Sequence, residues 1–152
     1  MAESNQLLCV RLGDQEFALN IRAIREIRGW ISSTPLPHAP PYIKGMINLR
    51  GSVLAILDLA ERLGLPSVPA NATSVVVVIE DGERVIGLLV DAVSDIITET
   101  AEMRQVPPET GSAASREYVE GLLMRDQKIV SVLSIPAVMP KDTSIEAALE
   151  AV

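Results

Sequence analysis

Aromatic residues are scarce in this chain of 152 residues, where Phe, Tyr and Trp together make up 3%. Hydrophobic residues still account for 48%, which is enough to bury the core of one domain or of two small subdomains. That core must be built from Val, Ile and Leu, the side chains that suit pleated sheets. The composition therefore favours a β-rich fold.

Residues and motifs typical of catalytic or metal-binding sites are equally few. The single cysteine, Cys9, has no partner for an internal disulfide and lies in an apolar run, which favours a buried small hydrophobe over a reactive thiol. The single histidine, His38, lies in a proline-rich stretch and is interpreted as a solvated loop residue rather than a general base. Phosphate-binding loops, catalytic serine motifs and paired zinc ligands are missing. We expect no enzyme activity, no cofactor and no metal.

Basic charge and long apolar runs are also lacking. A formal charge of −7 argues against nucleic acid, whose phosphates such a surface would repel, although Arg22, Arg25 and Arg28 make a local basic spot. No run approaches the ~20 apolar residues of a membrane helix, and the N-terminus lacks the basic region of an export signal. We expect a soluble protein of the reducing cytoplasm.

What the sequence does contain is an internal repeat. Residues 42–59 align without a gap with residues 118–135, at an offset of 76, and residues 17–27 align with residues 86–96 at an offset of 69. Two segments duplicated in the same order indicate two copies of one supersecondary unit. Each copy supplies two hairpins, so we expect two small β-barrels related by a pseudo-twofold axis and joined by a hydrophobic seam.

Turn residues and alternation predict the hairpins. They cover residues 6–21, 42–59 and 74–90, with turns at 13–15, at Arg50 and Gly51, and at Asp81 and Gly82. The second copy repeats the middle hairpin over 118–135, although its turn lacks glycine.

Short helices are predicted between the hairpins. Ile21, Ile24 and Ile27 recur at a spacing of three, which indicates a helix that ends at Gly29, and residues 91–97 repeat this pattern. Residues 58–63 form another, with Asp58 as the N-cap. Prolines at 136 and 140 indicate that the end of the chain departs from the repeat.

Four stretches carry a family resemblance: EIRGW at 26–30, PYIKGMINLRGSVLAILDL at 41–59, RVIGLLVDAVSDI at 84–96 and YVEGLL at 118–123. They resemble the CheW-like family of bacterial chemotaxis coupling proteins over roughly residues 7–139. The resemblance implies a mainly β fold of two SH3-like five-stranded barrels. Residues 1–140 are then one domain of two interlocked barrel subdomains, and residues 141–152 are a tail predicted as a short helix.

The resemblance also implies a function. Family members are adaptors without enzymatic activity that couple the cytoplasmic tips of chemoreceptors to the regulatory domain of a CheA-type histidine kinase, in receptor arrays at the membrane. A coupler for pilus motility or another sensory pathway would carry the same pattern. Ligand binding or enzymatic use of the groove between the barrels is the remote alternative.

In the family, the helical hairpin of the receptor docks between the two barrels. Carried over by position, the groove residues are Ile24, Glu26, Ile27, Lys44, Gly45, Arg50, Val93 and Ile96. Two other interpretations stay open: the four apolar residues could fill the core seam, and Arg50 could hold its turn through Glu26. Kinase contacts at the barrel ends point to the hairpin-tip residues Gly51, Asp126 and Lys128.

Overall fold

Ten β-strands make up most of the described part of the chain, which is residues 5–67, 69–100, 103–105 and 117–140 of a computed structural model. A 3₁₀ turn covers Ile21–Ala23, and two four-residue helices, α1 (Leu59–Arg62) and α2 (Ile135–Val138), follow the fifth and tenth strands. The strands are β1 (Asn5–Leu12), β2 (Gln15–Asn20), β3 (Ile24–Gly29), β4 (Ile43–Leu49), β5 (Ser52–Asp58), β6 (Val75–Asp81), β7 (Arg84–Val90), β8 (Ala92–Glu99), β9 (Val119–Arg125) and β10 (Lys128–Leu133).

The strands form two five-stranded sheets, and each sheet takes strands from both copies of the repeat. Barrel A has the order β8-β1-β2-β10-β9, and barrel B has the order β3-β6-β7-β5-β4. Exchanging each of β1–β5 with the strand five places later converts one order into the other, which is the pseudo-twofold relation that the repeat predicts. The predicted fold class, a mainly β double barrel of SH3-like type, is confirmed.

The predicted hairpins β1–β2, β4–β5, β6–β7 and β9–β10 are all present. Gly13, Gly51 and Gly82 have positive φ, which the two-residue turns of such hairpins require. In β6–β7 the turn falls one residue later than predicted, because Asp81 already pairs with Arg84 across the hairpin.

The short helices predicted after the β1–β2 and β6–β7 hairpins are wrong, because both segments are strands. Only Ile21–Ala23 is helical, as a single 3₁₀ turn in which Asn20 Oδ1 accepts from the Arg22 N–H at 2.9 Å. β3 pairs antiparallel with β6, and β8 with β1. Ile and Val are stiff at χ1 and suit strands. Each segment pairs with a strand from the other copy, and local periodicity contains no information about that partner.

The helix predicted from residue 58 is present, since the Asp58 side chain accepts from the Glu61 N–H at 3.4 Å and Gly64, at φ +78°, follows the helix. α2 is its counterpart, with Ser134 as the cap. The expectation that the chain leaves the repeat at Pro136 is therefore wrong, because the first turn of a helix tolerates proline. The helix predicted within residues 141–152 lies outside the described residues.

The largest cluster of buried side chains among the described residues lies between the barrels. It joins Leu8 and Phe17 of barrel A to Leu57 and Leu88 of barrel B, and we call it the seam cluster. Each barrel also has a smaller aliphatic interior of its own. Because burial of apolar surface is the main stabilising term, each barrel depends on the other for much of its stability.

Candidate protein-binding site

The apolar residues predicted for the groove fall into two pairs that the repeat relates. Ile27 on β3 and Ile96 on β8 are 46% and 51% exposed. Ile24 and Val93 are half-buried and pack against the seam cluster. On each strand, one residue of the pair is therefore packed against the seam cluster, and the other keeps much of its surface in solvent. The difference between the two residues is one of exposure.

Both of these strands contain a β-bulge at the equivalent residue. The register between β3 and β6 skips Arg25, and the register between β8 and β1 skips Ser94. A bulge bends a strand and re-aims the side chains that follow it. In each strand the exposed isoleucine comes two residues after the bulge.

The Arg50 guanidinium faces the Glu26 carboxylate at one end of barrel B. Nη1 lies 3.3 Å from Oε1, and Nη2 donates to Oε2 at 3.5 Å. The pair fastens the β4–β5 turn to β3. The Arg50 side chain is still 78% exposed, and an ion pair in that setting contributes only ~0.2–1 kcal/mol. Arg50 therefore holds its turn and also remains accessible to a partner.

Lys44 lies near the start of β4 and pairs with two carboxylates beside α1. Its Nζ is 3.5 Å from Asp58 Oδ2 and 3.5 Å from Glu61 Oε2. Arg50 follows the end of β4, so a rise of ~3.3 Å per residue puts the Cα atoms of Lys44 and Arg50 about 20 Å apart. The two predicted groove residues therefore lie at opposite ends of β4.

Gly45 is required by the backbone around it. Its φ is +152°, and an added Cβ would lie 2.5 Å from the Thr34 carbonyl oxygen. The Thr34 N–H donates to the Met46 carbonyl at 2.9 Å, and the Met46 N–H donates to the Thr34 carbonyl at 2.7 Å. This bridge pins the proline-rich connector to β4, so Gly45 positions the site rather than contacting a partner through a side chain.

Barrel A carries an ion pair at the equivalent end. Asp95, the repeat counterpart of Glu26, accepts from Arg125 Nη2. This arginine precedes the turn, whereas Arg50 lies in the turn of barrel B. Asp126 and Lys128 line the concavity beside this pair. The two barrel ends therefore share an acid–arginine pair but differ in charge at the turn.

The hairpin tips predicted for kinase contact have the same backbone. φ is +54° at Arg50 and +88° at Gly51, and +49° at Asp126 and +66° at Gln127. Positive φ at both central residues defines a type I′ turn. The second tip adopts this turn without glycine. Gly51 thus lies at the tip of barrel B, and Asp126 and Lys128 lie at the tip of barrel A.

Within residues 5–67, 69–100, 103–105 and 117–140, no group of three or more His, Cys, Asp or Glu side chains has the arrangement of a metal site. His38 lies exposed in the connector, with φ of +61°. Over the same described ranges, the helices are all too short or too polar to span a membrane.

A family model for the CheW-like domain matches residues 6–142. The chain belongs to the CheW-like family. The probable chemotaxis protein CheW of Rhizobium etli is 46% identical over 94% of this chain and 92% of that protein. The chemotaxis protein CheW of Rhizobium meliloti is 43% identical over 90% of this chain and 88% of that protein.

A solved structure has the same fold. The scaffolding protein TtCheW of Thermoanaerobacter tengcongensis superimposes with a TM-score of 0.83 over 92% of this chain and 90% of that chain, at 25% identity. A more distant relative is protein PilI of Pseudomonas aeruginosa, 29% identical over 77% of this chain and 66% of that protein. These matches identify the chain as a chemotaxis adaptor of the CheW-like family.

Sequence reasoning missed a partly buried ion network in this CheW-like domain. Glu99, the last residue of β8, is buried, and Arg104 donates to both of its oxygens at 2.6 Å through Nε and Nη2. Arg104 Nη1 also donates to Glu120 on β9 at 3.1 Å. The hydrogen bonds that Arg104 donates to Glu99 raise the pKa of Arg104, so the guanidinium stays protonated. The aliphatic stem of Arg104 packs on Gly121. The sequence signal that could have indicated this network is Gly121 itself, which is the repeat counterpart of Gly45.

Cys9 is fully buried in the interior of barrel A. Burial raises the pKa of the Cys9 thiol, because a thiolate there would lose its hydration. Folding thus favours the protonated thiol. The resulting stabilisation is complete below the pKa of the unfolded thiol, about 8.5, and is lost as the pH rises through the higher native pKa.

We expect the native thiol at Cys9 to resist a chromogenic thiol reagent at about pH 8, and to react fully once the chain is unfolded in denaturant. Absorbance of the released chromophore measures both rates. Val53→Cys provides the control, since Val53 is 48% exposed. Native labelling of Cys9 at the rate of that control would contradict the burial argument.

Proposed function

We propose that this chain couples the cytoplasmic tips of chemoreceptors to a CheA-type histidine kinase and catalyses no reaction itself. The observation that carries the proposal is that Ile27 and Ile96, two large apolar side chains, stay exposed at equivalent positions of β3 and β8. Each follows an acidic residue that is paired with an arginine. Apolar anchors bordered by charge suit the docking of an amphipathic helix.

The remaining groove residues have supporting roles in this proposal. Ile24 and Val93 hold β3 and β8 on the seam cluster, and Gly45 holds the connector against β4. Glu26 orients Arg50, whose exposed fork of donors suits a carboxylate on the receptor helix. Lys44 is ion-paired with the carboxylates beside α1 and contributes little to receptor binding in this proposal.

The kinase surface is proposed at the hairpin tips. Gly51 on barrel B and Asp126 and Lys128 on barrel A lie in or beside type I′ turns that project from the sheets. Rigid two-residue turns present their side chains with little conformational entropy to lose. The opposite charges at the two tips, Arg50 against Asp126, would distinguish the two ends of the molecule for its partners.

The place of action follows from the same proposal. Receptor tips and the kinase lie in the cytoplasm, so the chain is proposed to work there and to be recruited to membrane-associated receptor arrays.

Reconstitution tests the coupling role. Purified chain is added to receptor-containing vesicles and a CheA-type kinase from the same cell, and kinase autophosphorylation is followed with labelled ATP. We expect the chain to raise the autophosphorylation rate and to make it respond to the receptor's attractant. Binding of the chain to each partner is measured separately by sedimentation with the vesicles and by calorimetry with the kinase.

A folded chain that leaves the kinase rate unchanged, with receptor and kinase both active, would overturn the coupling role. The match to protein PilI supports a second candidate, a coupler for pilus motility. A pull-down from the native cytoplasm distinguishes the two, according to whether the kinase and receptors recovered belong to the flagellar or the pilus system.

A further inference from the structure

Arg62, the last residue of α1, makes a cluster of contacts that neither the repeat nor the candidate site explains. Its Nε donates to the Val138 carbonyl at 3.1 Å, and Nη2 lies 3.4 Å from the carbonyls of Ala137 and Met139. These are carbonyls at the end of α2, where a helix leaves its acceptors without intrahelical donors. A single guanidinium therefore closes the end of the second helix.

The same guanidinium lies between two tyrosines that the repeat relates. Its central carbon is 4.6 Å from the ring centroid of Tyr42 and 5.2 Å from that of Tyr118. Distances of this kind are typical of cation–π contacts. The two tyrosines are also equivalent in their backbone bonds, because the Tyr42 carbonyl accepts from Asp58 at 2.7 Å and the Tyr118 carbonyl accepts from Ser134 at 2.8 Å.

The position of Arg62 in the repeat is informative. The offset of 76 that relates Tyr42 to Tyr118 relates Arg62 to Val138, whose carbonyl it binds. A residue that contacts its own counterpart lies next to the pseudo-twofold axis. The second copy has no arginine at this position, so one side chain serves both copies.

The partners of Arg62 come from both barrels. α1 and Tyr42 flank strands of barrel B, whereas Tyr118 and α2 flank strands of barrel A. The seam cluster also joins the barrels, but burial of aliphatic side chains is non-directional and permits small rotations. A planar fork held by three carbonyls and two rings has a defined direction.

We propose that Arg62 is an inter-barrel clasp, a positioning residue that fixes the angle between barrels A and B. This inference does not depend on the proposed coupling role, because it concerns the orientation of two parts of one chain. Where a partner spans both barrels, as proposed for Ile27 and Ile96, the clasp would set the distance that the partner must bridge.

Spin labels on the two barrels test the clasp. The equivalent residues Val53 in barrel B and Ile129 in barrel A are exposed, and Cys9→Ala removes the native thiol before Val53→Cys and Ile129→Cys are labelled. Pulsed electron resonance then gives the distribution of distances across the pseudo-twofold axis. We expect one narrow peak in the parent, and in Arg62→Met a shifted or broadened distribution that loses this peak.

Arg104→Met is the matched control, because it also removes an arginine with several acceptors but all of its side-chain partners lie in barrel A. We expect it to lower the unfolding temperature without altering the distances. Arg62→Lys keeps the charge and loses the fork, so it should give an intermediate distribution even if Arg62→Met fails to fold.

The proposal is overturned if Arg62→Met, or Arg62→Lys where only that variant folds, gives the parent distribution, since Arg62 would then add stability without orienting the barrels. An equal broadening in Arg104→Met would overturn it as well, because the effect would then be a general loosening of the fold.

Discussion

Replacing Ile27 with aspartate is expected to weaken binding of the chain to a receptor tip about 30- to 100-fold, or roughly 2–3 kcal/mol, the range of an interface hot spot. A carboxylate there would have to be desolvated under the docked helix without a partner. Ile27 is 46% exposed and belongs to none of the core clusters, so the unfolding temperature should stay within about 2 °C of the parent.

Fluorescence anisotropy of a labelled receptor-tip fragment measures the affinity, and a thermal melt measures the fold. Two further variants serve as controls for Ile27→Asp. Ile24→Asp should lower the melting temperature, because Ile24 packs against the seam cluster. Ile129→Asp should change neither quantity, because Ile129 is 58% exposed on a hairpin away from β3. If Ile27→Asp binds as tightly as Ile129→Asp, β3 is not the receptor surface.

Replacing Gly45 with alanine is expected to lower the free energy of unfolding by about 2–4 kcal/mol. The new Cβ would collide with the Thr34 carbonyl at 2.5 Å, and φ of +152° is unfavourable for any L side chain. The obstacle is backbone in a hydrogen-bonded bridge, so relief requires separating the connector from β4. Urea denaturation followed by circular dichroism measures the loss.

The repeat supplies the control for this prediction. Gly121→Ala meets the Arg104 Cγ and Cδ atoms at 2.6 Å, but a flexible side chain can move aside, so we expect a smaller loss. Gly29→Ala has no atom within 4 Å and should cost least. A loss at Gly45 no greater than the loss at Gly121 would show that the connector bridge does not constrain the site.

The parts of the fold that were predictable from the sequence are those with a local cause. Hairpin turns depend on a few residues with the right φ, and the cap of α1 depends on Asp58 alone. The repeat was visible because apolar positions recur at fixed offsets, so the pseudo-twofold relation and the double barrel could be expected before any coordinates.

The candidate site was predictable only in part. The motif resemblance indicated residues on β3, β4 and β8, but the segment with Ile24 and Ile27 was predicted as a helix and is a strand. Because the bulge skips Arg25, Ile24 pairs with Ile79 and Ile27 pairs with Val77, and the two isoleucines follow one face of β6 while differing in exposure. Nothing near position 25 in the sequence reveals a bulge, because a bulge is defined by the register against a distant strand.

By itself, the sequence determined the duplication, the hairpins and the family of this protein, since turn chemistry, capping and apolar periodicity act between near neighbours. Only the tertiary structure decided that β3 and β8 are strands, which isoleucines stay exposed, and that Arg62 meets residues 137–139. Those outcomes depend on contacts between the two copies, and long-range contacts are formed by the packing of whole elements rather than by any one segment.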